Sequence, residues 1–311
     1  MRAASRPDVM ARMSQPVSPS GTSWTISGGG YEATVVSVGG GLRGCVYDGR
    51  ELLLGYGETE QCHAAMGQLL IPWPNRIADG RYTFEGTERQ LALTEPARHN
   101  ASHGLARWAE WHRLDDGTDE AVAVLTHRLH GQPGYPHQLD LTARYTVGRA
   151  GLQVQVSAVN VGRSNAPYGF GAHPYLTVGR RIDECELSFT AQRRLDVDPE
   201  RLLPRGLVDV AGTNVDFSTP RVIGDAAVDA AFTGLDDRWT VRLIDPDTGM
   251  TASLTSDTPW AQLYSAEALG RAGLAVEPMT CPPNAFASGD DLLTLSPGDT
   301  VSTSFTITGS S

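Results

Sequence analysis

The stretch Gly151-Leu152-Gln153-Val154-Gln155-Val156-Ser157-Ala158 alternates apolar and polar side chains with a period of two. Successive side chains of a strand point to opposite faces, so this pattern describes a strand with one face buried and one wet. Similar short runs occur at 121–126, 239–244 and 301–307. Between them lie Gly39 to Gly41, Pro133-Gly134, Pro204 to Gly206, Pro246 to Gly249 and Pro297-Gly298, all read as turns because glycine and proline punctuate ladders. Sustained helical periodicity is hard to find. Many short strands with Gly/Pro turns and few helices predict an all-β chain of sandwiched sheets.

At 311 residues the chain has room for two domains or one large all-β domain. The first 23 residues are rich in Ser, Pro, Arg and Ala and lack the continuous apolar segment of a secretory signal, so 1–23 reads as a flexible tail. Neither a repeat nor a linker follows, which makes 24–311 a single domain, with a division near Gly212 as the alternative. No apolar run is long enough to span a membrane as a helix.

The formal net charge of -11 argues against nucleic acid or an anionic membrane as partner, because each needs a positive field. A small neutral or mildly polar ligand fits better. All 25 basic residues are arginine, which removes lysine Schiff-base chemistry. Cys45, Cys62, Cys185 and Cys281 lack zinc spacing and fit free thiols in a cytoplasmic protein.

Four segments carry chemistry. In Leu274-Ala275-Val276-Glu277-Pro278-Met279-Thr280 a single carboxylate sits among apolar neighbours, and desolvation there raises its pKa toward the range useful to a general base. The competing reading is a strand-edge glutamate facing water. Pro72-Trp73-Pro74-Asn75-Arg76-Ile77 restricts the backbone and presents Asn75 and Arg76 in fixed positions, Arg76 as a fork for ligand oxygens or as a brace to a nearby acid. His99 and His103 stand four apart, but Ser102 and Gly104 suit a loop and no third ligand follows, so a metal is not expected. Tyr168-Gly169-Phe170-Gly171-Ala172-His173-Pro174-Tyr175-Leu176 sets a proton-transferring histidine among glycines and aromatic faces suited to a sugar ring.

Taken in this order, PWPNRI at 72–77 with its following G-x-Y-x-F-x-G, HGL at 103–105, HPY at 173–175, VEPMT at 276–280 and PNAF at 283–286 resemble the aldose 1-epimerase (galactose mutarotase-like) family, from about Gly67 through Phe286. The resemblance implies a large antiparallel β-sandwich, or supersandwich, with the sugar in an open cleft across one sheet. It implies Glu277 as general base and His173 as general acid. For anomeric interconversion a base and an acid on opposite sides of the pyranose are enough, a carboxylate with raised pKa and an imidazole near its natural pKa matching that need. Asn75, Arg76, His103, Tyr175, Asp229 and Gln262 fall where family members hold the sugar. No cofactor and no metal is implied, and the partner is a free monosaccharide such as glucose or galactose, taken by a monomer or homodimer.

Two departures bear on substrate: Leu105 stands where galactose mutarotases usually carry a second glycine, and Leu176 where phenylalanine is frequent. The Pro-Trp-Pro-Asn-Arg form also looks like a bacterial branch with members linked to sulfonated sugars. Arg107 is read as a solvated surface residue rather than a partner for an anionic substituent. The alternatives are an epimerase of a phosphorylated or sulfonated hexose, and a sugar-binding module without turnover; a glycosidase would need a second carboxylate.

Overall fold

The hairpin Leu139–Gly148/Gly151–Asn160 is the longest ladder of the computed structural model, which describes residues 17–310. Leu152, Val154, Val156 and Ala158 are buried and Gln153 and Gln155 exposed, as their alternation requires. This hairpin sits inside a nine-stranded sheet that also takes in Val122–Leu129, Thr300–Ser310, Thr251–Ser256 and Trp239–Ile244. A twelve-stranded sheet lies against it, and the strands of both pair antiparallel. Strands from both sides of Gly212 interleave in each sheet. The chain folds as a large antiparallel β-sandwich.

Across the centre of the larger sheet the order is Arg50–Leu53, Tyr175–Leu176, Leu274–Met279, Trp260–Tyr264, Asp229–Thr233, Arg193–Val197 and, at the edge, Pro204–Asp209. Leu274 and Val276 join the core between the sheets, together with Ala261, Leu263, Ala230 and Phe232 from neighbouring strands. Ala275, Met279, Trp260 and Ala231 pack instead in two small clusters on the opposite face. The period of two therefore sends Glu277, Gln262 and Asp229 outward together, away from the apolar core but under surface loops.

Those loops are fixed from below. Strand Arg76–Ala78 pairs with Asn100–Ser102, and Asn284 grips it twice, donating its N–H to Arg76 O at 2.7 Å and accepting Ala78 N–H on Oδ1 at 3.0 Å. Phe286, 2% exposed, meets Trp73 and Tyr82 edge-on with ring centroids 5.5 and 5.0 Å apart. The Pro-Asn-Ala-Phe motif thus anchors the segment that carries Asn75 and Arg76.

Two readings from the sequence need correction. Pro204 to Gly206 is no turn but the start of strand Pro204–Asp209, allowed because that strand lies at the sheet edge, where a missing N–H breaks no inner ladder. Of the tail 1–23, residues 1–16 lie outside the described residues, while Ser18–Thr22 are tied to the body: Ser18 Oγ donates to Glu58 O at 2.8 Å and Thr22 N to Ser37 Oγ at 3.0 Å. The four cysteines are free and buried. Among the described residues no helix is long and apolar enough to cross a membrane.

Phe286→Ala should lower stability by ~3–5 kcal/mol, the usual cost of deleting a buried aromatic ring, read as a lower midpoint in equilibrium denaturation. A loss below ~1 kcal/mol would show that the ring is not the anchor described.

Candidate active site

Glu277 projects from the outer face of its strand and is only 2% exposed. Directly across the ladder stands Gln262, and opposed residues of an antiparallel pair share a face. Gln262 Nε2 donates to Asp229 Oδ1 at 2.6 Å from one strand further on. The three side chains form a row across the sheet. Gln262 Oε1 and Glu277 Oε2 are buried without a protein partner, an arrangement that costs free energy until a ligand hydroxyl or water bonds them.

His173 comes from the bend between Gly171–Ala172 and Tyr175–Leu176, held by His173 N donating to Gln68 O at 3.1 Å and Gly67 N donating to His173 O at 2.9 Å. Its Nε2 lies 3.3 Å from Glu277 Oε1. The Tyr175 ring stacks on the imidazole with centroids 4.9 Å apart and planes 16° from parallel. Tyr175 is buried and its hydroxyl donates to Ala64 O at 2.9 Å, so it orients His173 rather than offering its hydroxyl to a ligand.

The opposite wall is the two-stranded ladder of Arg76–Ala78 and Asn100–Ser102. Asn75 and His103 both take left-handed φ, 53° and 61°, and His103 N donates to Asn75 O at 2.8 Å. Gly104 beside them, at φ 71°, admits no side chain, since a Cβ there would stand 2.2 Å from Ile71 O. Arg76 forks onto Glu95 through Nε at 2.9 Å and a terminal nitrogen at 3.2 Å. The structure shows Arg76 as the brace to a nearby acid, and its side chain also lines the cleft. His103 faces the cleft with its ring 5.5 Å from that of His173, whereas His99 opens onto a separate recess. The eight residues singled out from sequence all border one cleft of about 470 Å³, of the size that holds a small ligand.

Burial sets the protonation states. It pushes Glu277 well above the ordinary carboxylate range, with the Asp229 charge adding to the rise and Arg76 opposing it. It pushes His173 down to about 3, helped by Arg107 and Arg76, and His103 well below its usual value. Asp229 is raised by burial against the lowering effect of Arg76 and Gln262. Glu95 is also pushed up by burial, but its bonds from Arg76 and Asn100 outweigh that and hold it low. The expectation of an imidazole near its natural pKa is overturned: desolvation disfavours the imidazolium. Side by side in a dry wall, the carboxyl and imidazole can exchange one proton across 3.3 Å without changing the net charge of the site.

The pair also departs from the expected placement on opposite sides of a sugar ring, since a 3.3 Å gap leaves no room for one. Among the cleft residues missed or misjudged are Glu95, Leu202 and Arg107. Glu95 has no local pattern to mark it. Leu202 belongs to a hairpin distant in sequence. Arg107, expected on the solvated surface, is half-buried in the cleft wall, its Nε on Gln68 Oε1 at 3.2 Å.

The sequence matches the family described as "Aldose 1-epimerase" over residues 22–308. The chain belongs to the aldose 1-epimerase family. Among members of known sequence, it is 39% identical over 281 residues to the uncharacterized protein YihR of Escherichia coli (strain K12), covering 90% of each. It is 26% identical over 210 residues to the galactose mutarotase of Sus scrofa, covering 62% of this chain and 57% of that one. Its fold matches the GalM/aldose epimerase homologue from C. elegans with a TM-score of 0.83 at 20% identity, over 93% of this chain and 98% of the other.

Glu277 makes stability depend on pH in a defined direction. The unfolded chain returns it to about the ordinary 4.5, so over the window above that value the folded state keeps a proton the unfolded state has released. Stability from this group falls as pH rises through the window, by about 1.4 kcal/mol for each pH unit crossed. Glu277→Gln should therefore unfold at a higher temperature than wild type above about pH 5, by a margin that grows with pH and vanishes in acid. A wild-type advantage growing with pH would show a carboxylate stabilised rather than desolvated.

Proposed function

We propose that this family member is an isomerase acting as an aldose 1-epimerase, or mutarotase, interconverting the α and β anomers of a free hexose such as glucose or galactose. The observation that carries the reading is the Glu277–His173 contact at 3.3 Å, in a cleft whose other polar groups suit hydroxyls. Ring opening takes a proton from the C1 hydroxyl and gives one to the ring oxygen. Both oxygens are bonded to C1, so acid and base must be neighbours, as these two are, rather than opposed.

Glu277 as carboxylate accepts the C1 hydroxyl proton while His173 as imidazolium donates to the ring oxygen, and the C1–ring oxygen bond breaks to give the aldehyde. The pair then stands as carboxylic acid and neutral imidazole, the state burial favours. Rotation about C1–C2 presents the other carbonyl face, and the same proton movements in reverse close the ring. Every state carries one shared proton, so the low-dielectric wall never holds net charge on the pair. Loss of that proton at high pH, or gain of a second at low pH, stops turnover. Asn75, Arg76, His103, Asp229 and Gln262 would hold the sugar's hydroxyls.

Arg107 favours a second reading. It is half-buried and burial disfavours its charge, yet among the described residues no carboxylate pairs with it. A phosphorylated or sulfonated hexose would supply the missing anion.

The test dissolves the pure α-anomers of glucose, galactose and a hexose 6-phosphate and follows optical rotation with and without protein. Glu277→Gln and His173→Asn should each lose ~10²–10⁴-fold in rate while keeping the wild-type circular dichroism. Acceleration of the phosphate ester alone, abolished by Arg107→Gln, would move the substrate to the charged class. Binding without acceleration would mean a sugar-binding module.

A further inference from the structure

The row Glu277–Gln262–Asp229 runs across three neighbouring strands, ~10 Å from first to last at the usual strand spacing. If C1 and the ring oxygen sit at Glu277 and His173, as the epimerase reading requires, and the ring lies along this row, its C3–C4 edge, opposite the C1–ring oxygen bond, faces Asp229. Beyond Asp229 the next strand, Arg193–Val197, leads into the hairpin tip Asp198–Leu203, and Leu202 at that tip lines the cleft.

This tip is held unusually firmly. Asp198 Oδ1 accepts Glu200 N at 2.9 Å and Arg201 N at 2.8 Å, closing the turn on itself. Arg201 then reaches the opposite wall, donating to Arg98 O at 3.1 Å, His99 O at 3.0 Å and Asp79 Oδ1 at 2.8 Å, while Asn100 Nδ2 returns a bond to Arg201 O at 3.0 Å. That wall carries Glu95 and Arg76. The clamp bridges the two sides of the cleft at its Asp229 end. Leu202 keeps φ at 55°, a left-handed conformation that a bulky side chain adopts rarely and only where its surroundings impose it.

We propose that Leu202, pinned by the Arg201 clamp, closes the far end of the cleft, so that the site takes free monosaccharides in preference to the reducing ends of 4-linked disaccharides. A glycosyl group on O4 points at the leucine and the clamp, which leave it no open path out of the cleft. The inference rests on the epimerase reading and adds to it a specificity determinant.

The experiment compares kcat/KM for anomerisation of D-glucose and of maltose by wild type, Leu202→Gly and Arg201→Ala. Glycine accepts the left-handed φ without cost, so the first variant removes the side chain without straining the tip. Wild type should favour glucose, and the maltose-to-glucose ratio should rise by roughly tenfold or more in Leu202→Gly, with Arg201→Ala moving it the same way. Wild type treating both sugars alike, or a ratio unmoved in both variants, overturns the gate and leaves the epimerase reading standing. Acceleration of neither sugar overturns both.

Discussion

A carboxyl group and an imidazole, 3.3 Å apart and each almost wholly withdrawn from water, form the contact on which the rest of the structure depends. Neither group is comfortable there. Burial drives the carboxyl up and the imidazole down, toward forms without charge. Such a pair holds a proton easily and a net charge badly, which suits a reaction that only shuttles protons between two oxygens of one carbon.

Placing that pair takes most of the sandwich. The carboxylate needs a strand whose inner face is anchored in the core, and Leu274 and Val276 provide the anchor. The imidazole needs a bend gripped at both backbone groups and a ring to lie against, provided by Gln68, Gly67 and Tyr175. The facing wall needs two consecutive motifs locked in left-handed backbone, with Asn284 and Phe286 behind them. The polar atoms left unpaired at Gln262 and Glu277 sit on the outer face, where a ligand can reach them. Stability is spent on function at these positions, as is common where strain and buried polarity cluster.

Much of this was legible in the amino-acid order, for physical reasons that differ by element. Period-two alternation marked the strand at 151–158 because one face is core and the other water. Glu277 stood out because a lone carboxylate in an apolar strand has few explanations, and the ordered motifs named its companions. Hidden from sequence was everything set by non-local pairing. Glu95 and Arg201 matter through partners far along the chain, Arg107 through Gln68, and Tyr175 through a stacking contact that local pattern does not distinguish from a ligand platform. Pro204 misled because the same residue that ends an inner strand can begin an edge strand. The charge state of His173 was missed because burial depth is a tertiary property.

The most direct measurement is the protonation of the pair in the empty site, read by the carboxylic-acid carbonyl band in infrared difference spectra of wild type against Glu277→Gln and by the imidazole nitrogen shifts of His173. At about pH 6, above the ordinary carboxylate range, a protonated Glu277 beside a neutral His173 that titrates far below its usual value is predicted. A Glu277 carboxylate at that pH, beside a His173 that titrates as a free imidazole does, would contradict the account.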